Sequence, residues 1–180
     1  METLAKAFET SDPETVARVM SDLIGRFVME AELSADPLVA GLMAGNTVAQ
    51  TLGLTAEDLD AIYRLGHQLL IQGDGPGAQT VFFQLVRMDP LEARHHYCLG
   101  LSFQMQQRAG LALEAFTNFL ALDATNPDGY LRLGECFLAT GEPGLALEAF
   151  QCAEAEAVKG NGDDISLTEA RARIALLDME

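Results

Sequence analysis

One spacing of thirty-four residues organises the middle of this chain. It separates a Leu-Gly pair, an alanine and a phenylalanine, each of which occurs three times in the same register. The members are Leu65-Gly66, Leu99-Gly100 and Leu133-Gly134, then Ala78, Ala112 and Ala146, and then Phe82, Phe116 and Phe150. Because these three features keep one register, the repeated unit is structural, and we interpret it as a helical hairpin.

The repeated residues suggest how the hairpins pack. The glycine is expected where the two helices of a hairpin cross closely, and the small alanine of the second helix allows the same approach. The phenylalanine is expected to fill the space against the next hairpin. A single hairpin cannot bury its apolar face, so stacked hairpins are needed for a continuous core. The pattern resembles the tetratricopeptide repeat (TPR), which binds peptides or partner proteins.

The predicted fold is all-α, with three tandem TPR hairpins in a short right-handed solenoid, an N-terminal amphipathic helix and a C-terminal capping helix. First helices are predicted near 56–72, 92–107 and 127–140, and second helices near 76–88, 109–122 and 143–157. Their N-terminal signals are Thr55 with Asp58, Asp89-Pro90, and Asn126-Pro127. The expected segments are an N-terminal region at 1–54, the repeats at 55–160 and the capping helix at 161–180.

Two segments flank the repeats. Residues 11–33 form a predicted amphipathic helix, which either packs on a second copy of the chain or folds back on the solenoid. Its candidate dimerisation face contains Val16, Met20, Leu23, Ile24 and Phe27. Residues 34–54 are predicted to be a flexible connection with a short helix near Thr47–Leu52. After the repeats, Ser166 with Glu169 is predicted to cap the last helix, which covers the third repeat.

The charge balance excludes some classes of partner. The net charge is -16, from 27 acidic and 11 basic residues, which argues against nucleic acid and anionic membrane surfaces as partners. It suits a protein that holds a hydrophobic or basic client, or it simply solvates the outer helix faces. We expect no signal peptide, no stable membrane insertion and a cytoplasmic location. Three widely separated cysteines fit reduced thiols in a helical core.

Motifs for catalysis or metal binding are not found in the sequence. The Gly-rich stretch 73–77 lacks the Lys and Ser/Thr of a phosphate-binding loop. His95 and His96 are adjacent, so on a helix their side chains point about 100° apart. We therefore predict a protein that is not an enzyme and has no cofactor and no metal site.

The first helices of a TPR stack line its concave face, and the register predicts which side chains point inward. These are Asp60, Tyr63, His67 and Leu70, then Arg94, Tyr97, Leu101 and Gln104, and then Asp128, Leu131, Glu135 and Leu138. Two tyrosines and several aliphatic side chains suit an extended peptide with apolar anchors. The alternative for the tyrosines is packing between helices. Arg94 and Arg132 are the only cations near this face, so capture of a C-terminal carboxylate is not expected.

The segment before the first repeat resembles a known family. Residues 45–66 contain a Gly-Thr-hydrophobic stretch and then a Ser/Thr-x-(Glu/Asp)-x-Leu pattern that ends in Tyr-x-Leu. The matching residues are Thr55, Asp58, Leu59, Asp60, Ile62, Tyr63 and Leu65. The chain is similar there to the class II chaperones of bacterial type III secretion, and the resemblance covers residues 45–158.

This resemblance implies a function and partners. Class II chaperones keep the two hydrophobic translocator proteins of the secretion apparatus soluble and separate in the bacterial cytoplasm before export. A short extended client segment would dock in the concave groove, with anchor pockets formed by Tyr63, His67, Tyr97, Leu101 and Leu131. The resemblance also implies a homodimer through the N-terminal region and, for some members, an AraC-type regulator as partner. The alternative is a TPR scaffold that joins subunits of another assembly.

Overall fold

The protein is built from helices wherever its structure is described. A computed structural model describes Gly41 and residues 45–177. The helices are α1 (Val48–Thr51), α2 (Ala56–Gln72), α3 (Gly75–Met88), α4 (Ala93–Met105), α5 (Ala109–Leu122), α6 (Pro127–Thr140), α7 (Pro143–Val158) and α8 (Asp164–Leu177). Over these residues there is no strand. The predicted all-α fold with three helical hairpins is confirmed: α2–α3, α4–α5 and α6–α7, followed by α8.

The N-terminal predictions are only partly covered by the described residues. The helix expected at 11–33 lies outside them, together with its dimerisation face of Val16, Met20, Leu23, Ile24 and Phe27. The short helix predicted near Thr47–Leu52 is present as α1, which begins at a capping box between Thr47 and Gln50. The described residues divide into two compact units, and the division falls within α4, between Cys98 and Leu99.

Local capping signals explain where two of the first helices begin. Thr55 accepts a hydrogen bond from the backbone N–H of Asp58 (3.1 Å), and the Asp58 carboxylate accepts one from the Thr55 N–H (2.9 Å). This reciprocal pair satisfies two N–H groups that the helix itself cannot pair. Asn126 accepts from the Asp128 N–H (3.1 Å), with Pro127 as the first residue of α6.

Two other predicted N-termini are wrong. Asp89 ends α3 rather than starting α4, because its N–H donates to the Leu85 carbonyl (2.8 Å). The residue before a proline is pushed toward extended backbone, so Asp89-Pro90 forms a loop and α4 begins at Ala93. At the last helix, Ser166 lies inside α8. Asp163 is the cap, and it accepts from the Ser166 N–H (2.8 Å).

In each hairpin a glycine of the first helix lies against a phenylalanine of the second. A Cβ atom added to the glycine would overlap the phenylalanine ring, at 2.8 Å for Gly66 and Phe82, 2.6 Å for Gly100 and Phe116, and 2.5 Å for Gly134 and Phe150. All three phenylalanines are fully buried, and so are the repeated alanines Ala78, Ala112 and Ala146. The close crossing predicted for the Leu-Gly register is therefore confirmed.

The phenylalanines have a contact that the prediction did not include. Each ring packs on the glycine of its own hairpin, and Phe150 also shares a core cluster with Ala170 of the following helix α8. In the second unit, other residues of α5 make the contact with the following hairpin. Phe119 and Leu120 lie against Gly129 of α6, where an added Cβ atom would come within 2.6 Å of the Phe119 ring. The repeat register alone does not show whether a residue of the second helix packs on its own hairpin or on the following one.

The turns within the three hairpins share one geometry. The residues at this turn are Gly73, Gln107 and Gly141, thirty-four residues apart, and all have positive φ. In each turn the N–H of that residue donates three residues back, and the next N–H donates five residues back. These are the bonds of a Schellman motif, which favours glycine because an L side chain is strained in the left-handed region.

We predict that Gly134→Ala destabilises the protein by about 1–3 kcal/mol, because the added methyl group overpacks the contact with Phe150. Urea unfolding followed by circular dichroism measures this change. The matched control is Gly144→Ala in α7, where nothing lies within 4 Å of an added Cβ atom. The control should be neutral or slightly stabilising, because alanine favours helix more than glycine does. Equal stability of the two variants would contradict the close crossing.

Candidate peptide-binding residues

In the first unit, four of the predicted site residues come together around one aromatic ring. We call Asp60, Tyr63, His67 and Arg94 the Tyr63 cluster. The Arg94 guanidinium carbon lies 4.5 Å from the centroid of the Tyr63 ring, and its Nη1 is 3.3 Å from Asp60. The exposed His67 ring stacks on Tyr63, with centroids 6.1 Å apart. The cluster presents an aromatic surface bordered by donors and acceptors.

The Tyr63 side chain also belongs to the core. Its ring meets Phe82 edge to face, with centroids 5.7 Å apart, and its hydroxyl lies 3.5 Å from the Cys98 sulfur. Burial, followed by the contact with Cys98, raises the pKa of Tyr63 well above its ordinary value. The phenol is therefore neutral at physiological pH. Both functions considered for this tyrosine, site surface and helix packing, fit its half-buried position.

The two adjacent histidines hold the loop between α3 and α4. His96 Nε2 lies 2.8 Å from the Pro90 carbonyl oxygen, and His95 Nδ1 lies 3.4 Å from the Asp89 carbonyl oxygen. His95 is 1% exposed, and among the described residues its Nε2 has no hydrogen-bond partner. Burial is the main cause that lowers the pKa of His95. These contacts give the histidine pair a structural role.

In the second unit, Glu135 is the centre of a polar network. Its carboxylate accepts hydrogen bonds from Gln104 (3.2 Å), from Arg132 (3.0 Å) and from Arg173 of α8 (3.0 Å). Two of these donors are cations, so the charge of Glu135 is matched locally. Gln104 and Glu135, both predicted site residues, are thus in direct contact.

This network borders an open groove with a volume of about 450 Å³. The groove is lined by Gln104, Gln107, Ala109, Glu135, Cys136 and Ala139. Burial raises the pKa of the Cys136 thiol to about 11, so this side chain stays neutral. The groove combines amide and carboxylate groups with small apolar side chains, a composition that suits a neutral peptide segment.

Sequence reasoning did not select all of these residues. Gln107, Cys136 and Arg173 were missed because none of them occupies a concave position in the repeat register. For Gln107 the sequence does contain a signal, since it stands where the other two hairpins have glycine. For Arg173 there was no signal, because its contact with Glu135 joins residues thirty-eight positions apart.

The remaining predicted residues differ in accessibility. Leu70, Tyr97 and Leu101 are half-buried, and Leu138 is 36% exposed. Leu131 is only 5% exposed, because it packs in a core with Ala170 of α8 and three residues of α7. It reaches a second cavity of about 180 Å³, lined also by Asp128, Arg132, Asp163, Ile165, Ser166 and Glu169. Leu131 is thus mainly a core residue, and its place in an anchor pocket for the client stays a prediction.

The predicted residues are divided between the two units. Those from Asp60 to Tyr97 belong to the first unit, and those from Leu101 to Leu138 belong to the second. That the two sets form one continuous groove stays a prediction. Within residues 45–177, no group of three or more His, Cys, Asp or Glu side chains is placed to hold a metal ion. None of the helices in that range has the length and apolar character needed to span a membrane.

The sequence matches the tetratricopeptide-repeat family over residues 63–127 and 99–161, which together span more than half of the chain. The chain belongs to the tetratricopeptide-repeat family. In this TPR chain the family match begins at Tyr63, within the first helix of the first hairpin, and extends through the third hairpin. A comparison with curated protein sequences found no match.

Several solved structures from type III secretion systems (T3SS) are similar to this TPR chain. A T3SS complex from Aeromonas hydrophila has a TM-score of 0.73 and 24% identity, covering 80% of this chain and 97% of the matched chain. PcrH, a Pseudomonas aeruginosa protein, in complex with the chaperone-binding region of PopB has a TM-score of 0.65 and 26% identity, covering 67% and 98%. Yersinia enterocolitica SycD, a type III secretion chaperone, in complex with a peptide of the translocator YopD has a TM-score of 0.65 and 22% identity, covering 69% and 95%. The predicted resemblance to class II translocator chaperones is confirmed.

We predict that acidification destabilises the TPR fold through His95. An unfolded histidine binds a proton near pH 6.5, whereas the buried His95 binds one only at lower pH. Arg94 also lowers this pKa, Asp89 and Glu92 partly oppose the shift, and the facing Tyr63 ring is neutral. Stability is therefore retained above about pH 6.5 and lost below it, by at most about 1.4 kcal/mol per pH unit.

Urea unfolding at about pH 7.5 and about pH 5.5 measures this loss. His95→Gln should lower overall stability but reduce the difference between the two pH values. His67→Gln is the matched control, because His67 is exposed and the wild-type pH dependence should be kept. The same pH dependence in the wild type and in His95→Gln would exclude His95 as the cause.

Proposed function

We propose that this TPR chain is a chaperone of a bacterial type III secretion system. It binds an extended segment of hydrophobic translocator proteins in the cytoplasm and keeps them soluble and separate before export. The observation that carries this proposal is the similarity to PcrH, whose structures contain the chaperone-binding regions of PopB and PopD. The two alignments, at 26% and 25% identity, cover 98% and 96% of those chains.

The side chains of both units support peptide binding. In the first unit, the Tyr63 ring offers apolar contact area, while Asp60, Arg94 and His67 provide polar groups beside it. In the second unit, the groove at Gln104 and Glu135 has amide and carboxylate groups above small apolar side chains. Extended peptides are bound in this way, with pockets for side chains and polar groups for the main chain.

The physical demands on a translocator chaperone fit shallow sites of this kind. A translocator later enters a membrane, so its apolar segments aggregate in water unless they are covered. The client must also be released for export, which a very tight complex would prevent. An affinity near micromolar, about 8 kcal/mol, is sufficient for a stable but reversible complex. We therefore propose a binding protein rather than an enzyme, as the matched chaperones indicate.

Two further partners belong to the proposal. The apolar face predicted at 11–33 would make the chain a homodimer, and SycD has been crystallised as an alternative dimer. An AraC-type regulator would bind once the translocators have been secreted. A TPR scaffold without a client is the alternative function. Light scattering of the purified chain with and without residues 1–40 tests the dimer separately from client binding.

The proposed function is tested by coexpressing the chain with any hydrophobic, translocator-like protein that is encoded beside it. A soluble complex is expected in pull-down and light scattering. We predict that Tyr97→Ala weakens client binding about tenfold, the size of a typical hot-spot loss, while helicity is unchanged. Tyr63 is not used for this test, because it packs on Phe82 and Cys98.

The matched control is Phe83→Ala, which removes an aromatic ring that is 49% exposed on a second helix. This variant should bind the client like the wild type. Unchanged affinity of Tyr97→Ala would remove Tyr97 from the binding surface. A translocator that stays insoluble and unbound in the presence of the wild-type chain would contradict the chaperone function and favour the scaffold.

A further inference from the structure

The turn between α4 and α5 carries a residue that its geometry disfavours. Gln107 has a φ of 58°, while the corresponding residues of the other hairpins are Gly73 and Gly141, with φ of 81° and 82°. Its N–H donates to the Gln104 carbonyl (2.9 Å), as the glycines do three residues back in their own turns. A side chain in the left-handed region is strained, so glycine would be the more stable residue at position 107.

The described fold offers no compensation for this strain. The Gln107 side chain is exposed, and no residue within 45–177 forms a hydrogen bond with it. The turn itself is held by its neighbours, since Gln106 Nε2 donates to the Ser102 carbonyl (3.0 Å) and the Arg108 N–H donates to the Phe103 carbonyl (3.0 Å). Folding stability therefore does not explain a glutamine at this position. Strained residues of this kind often contact a ligand.

The Gln107 side chain lines the groove of about 450 Å³ in the second unit. Beside it lie Gln104 and Glu135, whose side chains are already bonded to each other at 3.2 Å. Arg132 and Arg173, each 3.0 Å from Glu135, match its charge. Among the residues that line the groove, Gln107 thus has a carboxamide with no hydrogen-bond partner in the described protein. The charged groups beside it are already paired with each other.

We propose that the Gln107 carboxamide binds the main chain of the extended client segment. A carboxamide has one acceptor and two donors, so it can pair with both the N–H and the C=O of a peptide unit. The small side chains Ala109, Cys136 and Ala139 leave room beside it for an aliphatic client side chain. This inference rests on the proposed chaperone function and adds a contact that the concave register does not predict.

The test measures client affinity and fold stability on the same proteins. Overlapping synthetic peptides that cover the translocator-like protein used for coexpression are titrated against the full chain by fluorescence anisotropy. Gln107→Gly should bind the best peptide about fivefold more weakly, the loss expected for one hydrogen bond. Its melting temperature should equal or exceed that of the wild type, because the turn strain is relieved. A role in folding alone cannot give weaker binding together with equal or higher stability.

Two controls make the result specific. Gly141→Gln places the same side chain in the same turn of the next hairpin, so it should lower the melting temperature and leave the affinity unchanged. N-methylation of one peptide nitrogen at a time removes one main-chain donor. At the peptide position that Gln107 contacts, N-methylation should weaken binding to the wild-type chain. The same N-methylation should have no further effect on binding to Gln107→Gly, because the contact is already lost.

Each outcome bears on the inference. If Gln107→Gly binds the peptide with the same affinity as the wild type, the proposed role of Gln107 is overturned, while the proposed chaperone function is unaffected. A joint fall in affinity and melting temperature would assign Gln107 a structural role and would also overturn it. If the wild-type chain binds none of the peptides and leaves the coexpressed translocator insoluble, both the inference and the proposed function fail.

Discussion

The described structure depends on one contact, made in each hairpin between a glycine of the first helix and a phenylalanine ring of the second. The ring lies too close to the glycine for a Cβ atom to fit between them, so this side of the first helix approaches the second helix closely. The repeated alanines, all fully buried, permit the same approach from the second helix. Because protein interiors are close-packed, these contacts fix the rotation of each first helix and therefore which side chains it presents.

Because the glycine, alanine and phenylalanine contacts fix the helix packing, the other positions of the repeat can hold different side chains. Asp60, Arg94 and Asp128 stand thirty-four residues apart, yet Asp60 pairs with Arg94, whereas Asp128 accepts a hydrogen bond from Ser166. The turn residues Gly73 and Gln107 show the same freedom, since one backbone geometry holds glycine in one hairpin and glutamine in another. Differences between the repeats therefore reveal more about function than their common residues do.

Charge pairing separates the candidate residues from the acidic character of the whole chain. The net charge is -16, but Asp60 is bonded to Arg64 and Arg94, and Glu135 to Arg132 and Arg173. Such exposed or half-exposed pairs add little to stability. On the protein surface, these pairs provide oriented hydrogen-bond donors and acceptors. Because the opposite charges are close together, the local electrostatic potential stays small. That property suits binding of an uncharged peptide segment, while the excess of acidic side chains in the chain favours solubility.

The sequence by itself determined the three hairpins and placed the ends of their helices within two residues. It could do so because the repeat register and signals such as the Thr55 capping box act between residues close in the chain. It also indicated the Tyr63 cluster, since its members follow the helical period and the repeat. Only the tertiary structure decided that Leu131 is covered by α8 and that Gln107 faces a groove. Burial and cavities depend on which distant segments pack together, and neither helical periodicity nor a local motif encodes that packing.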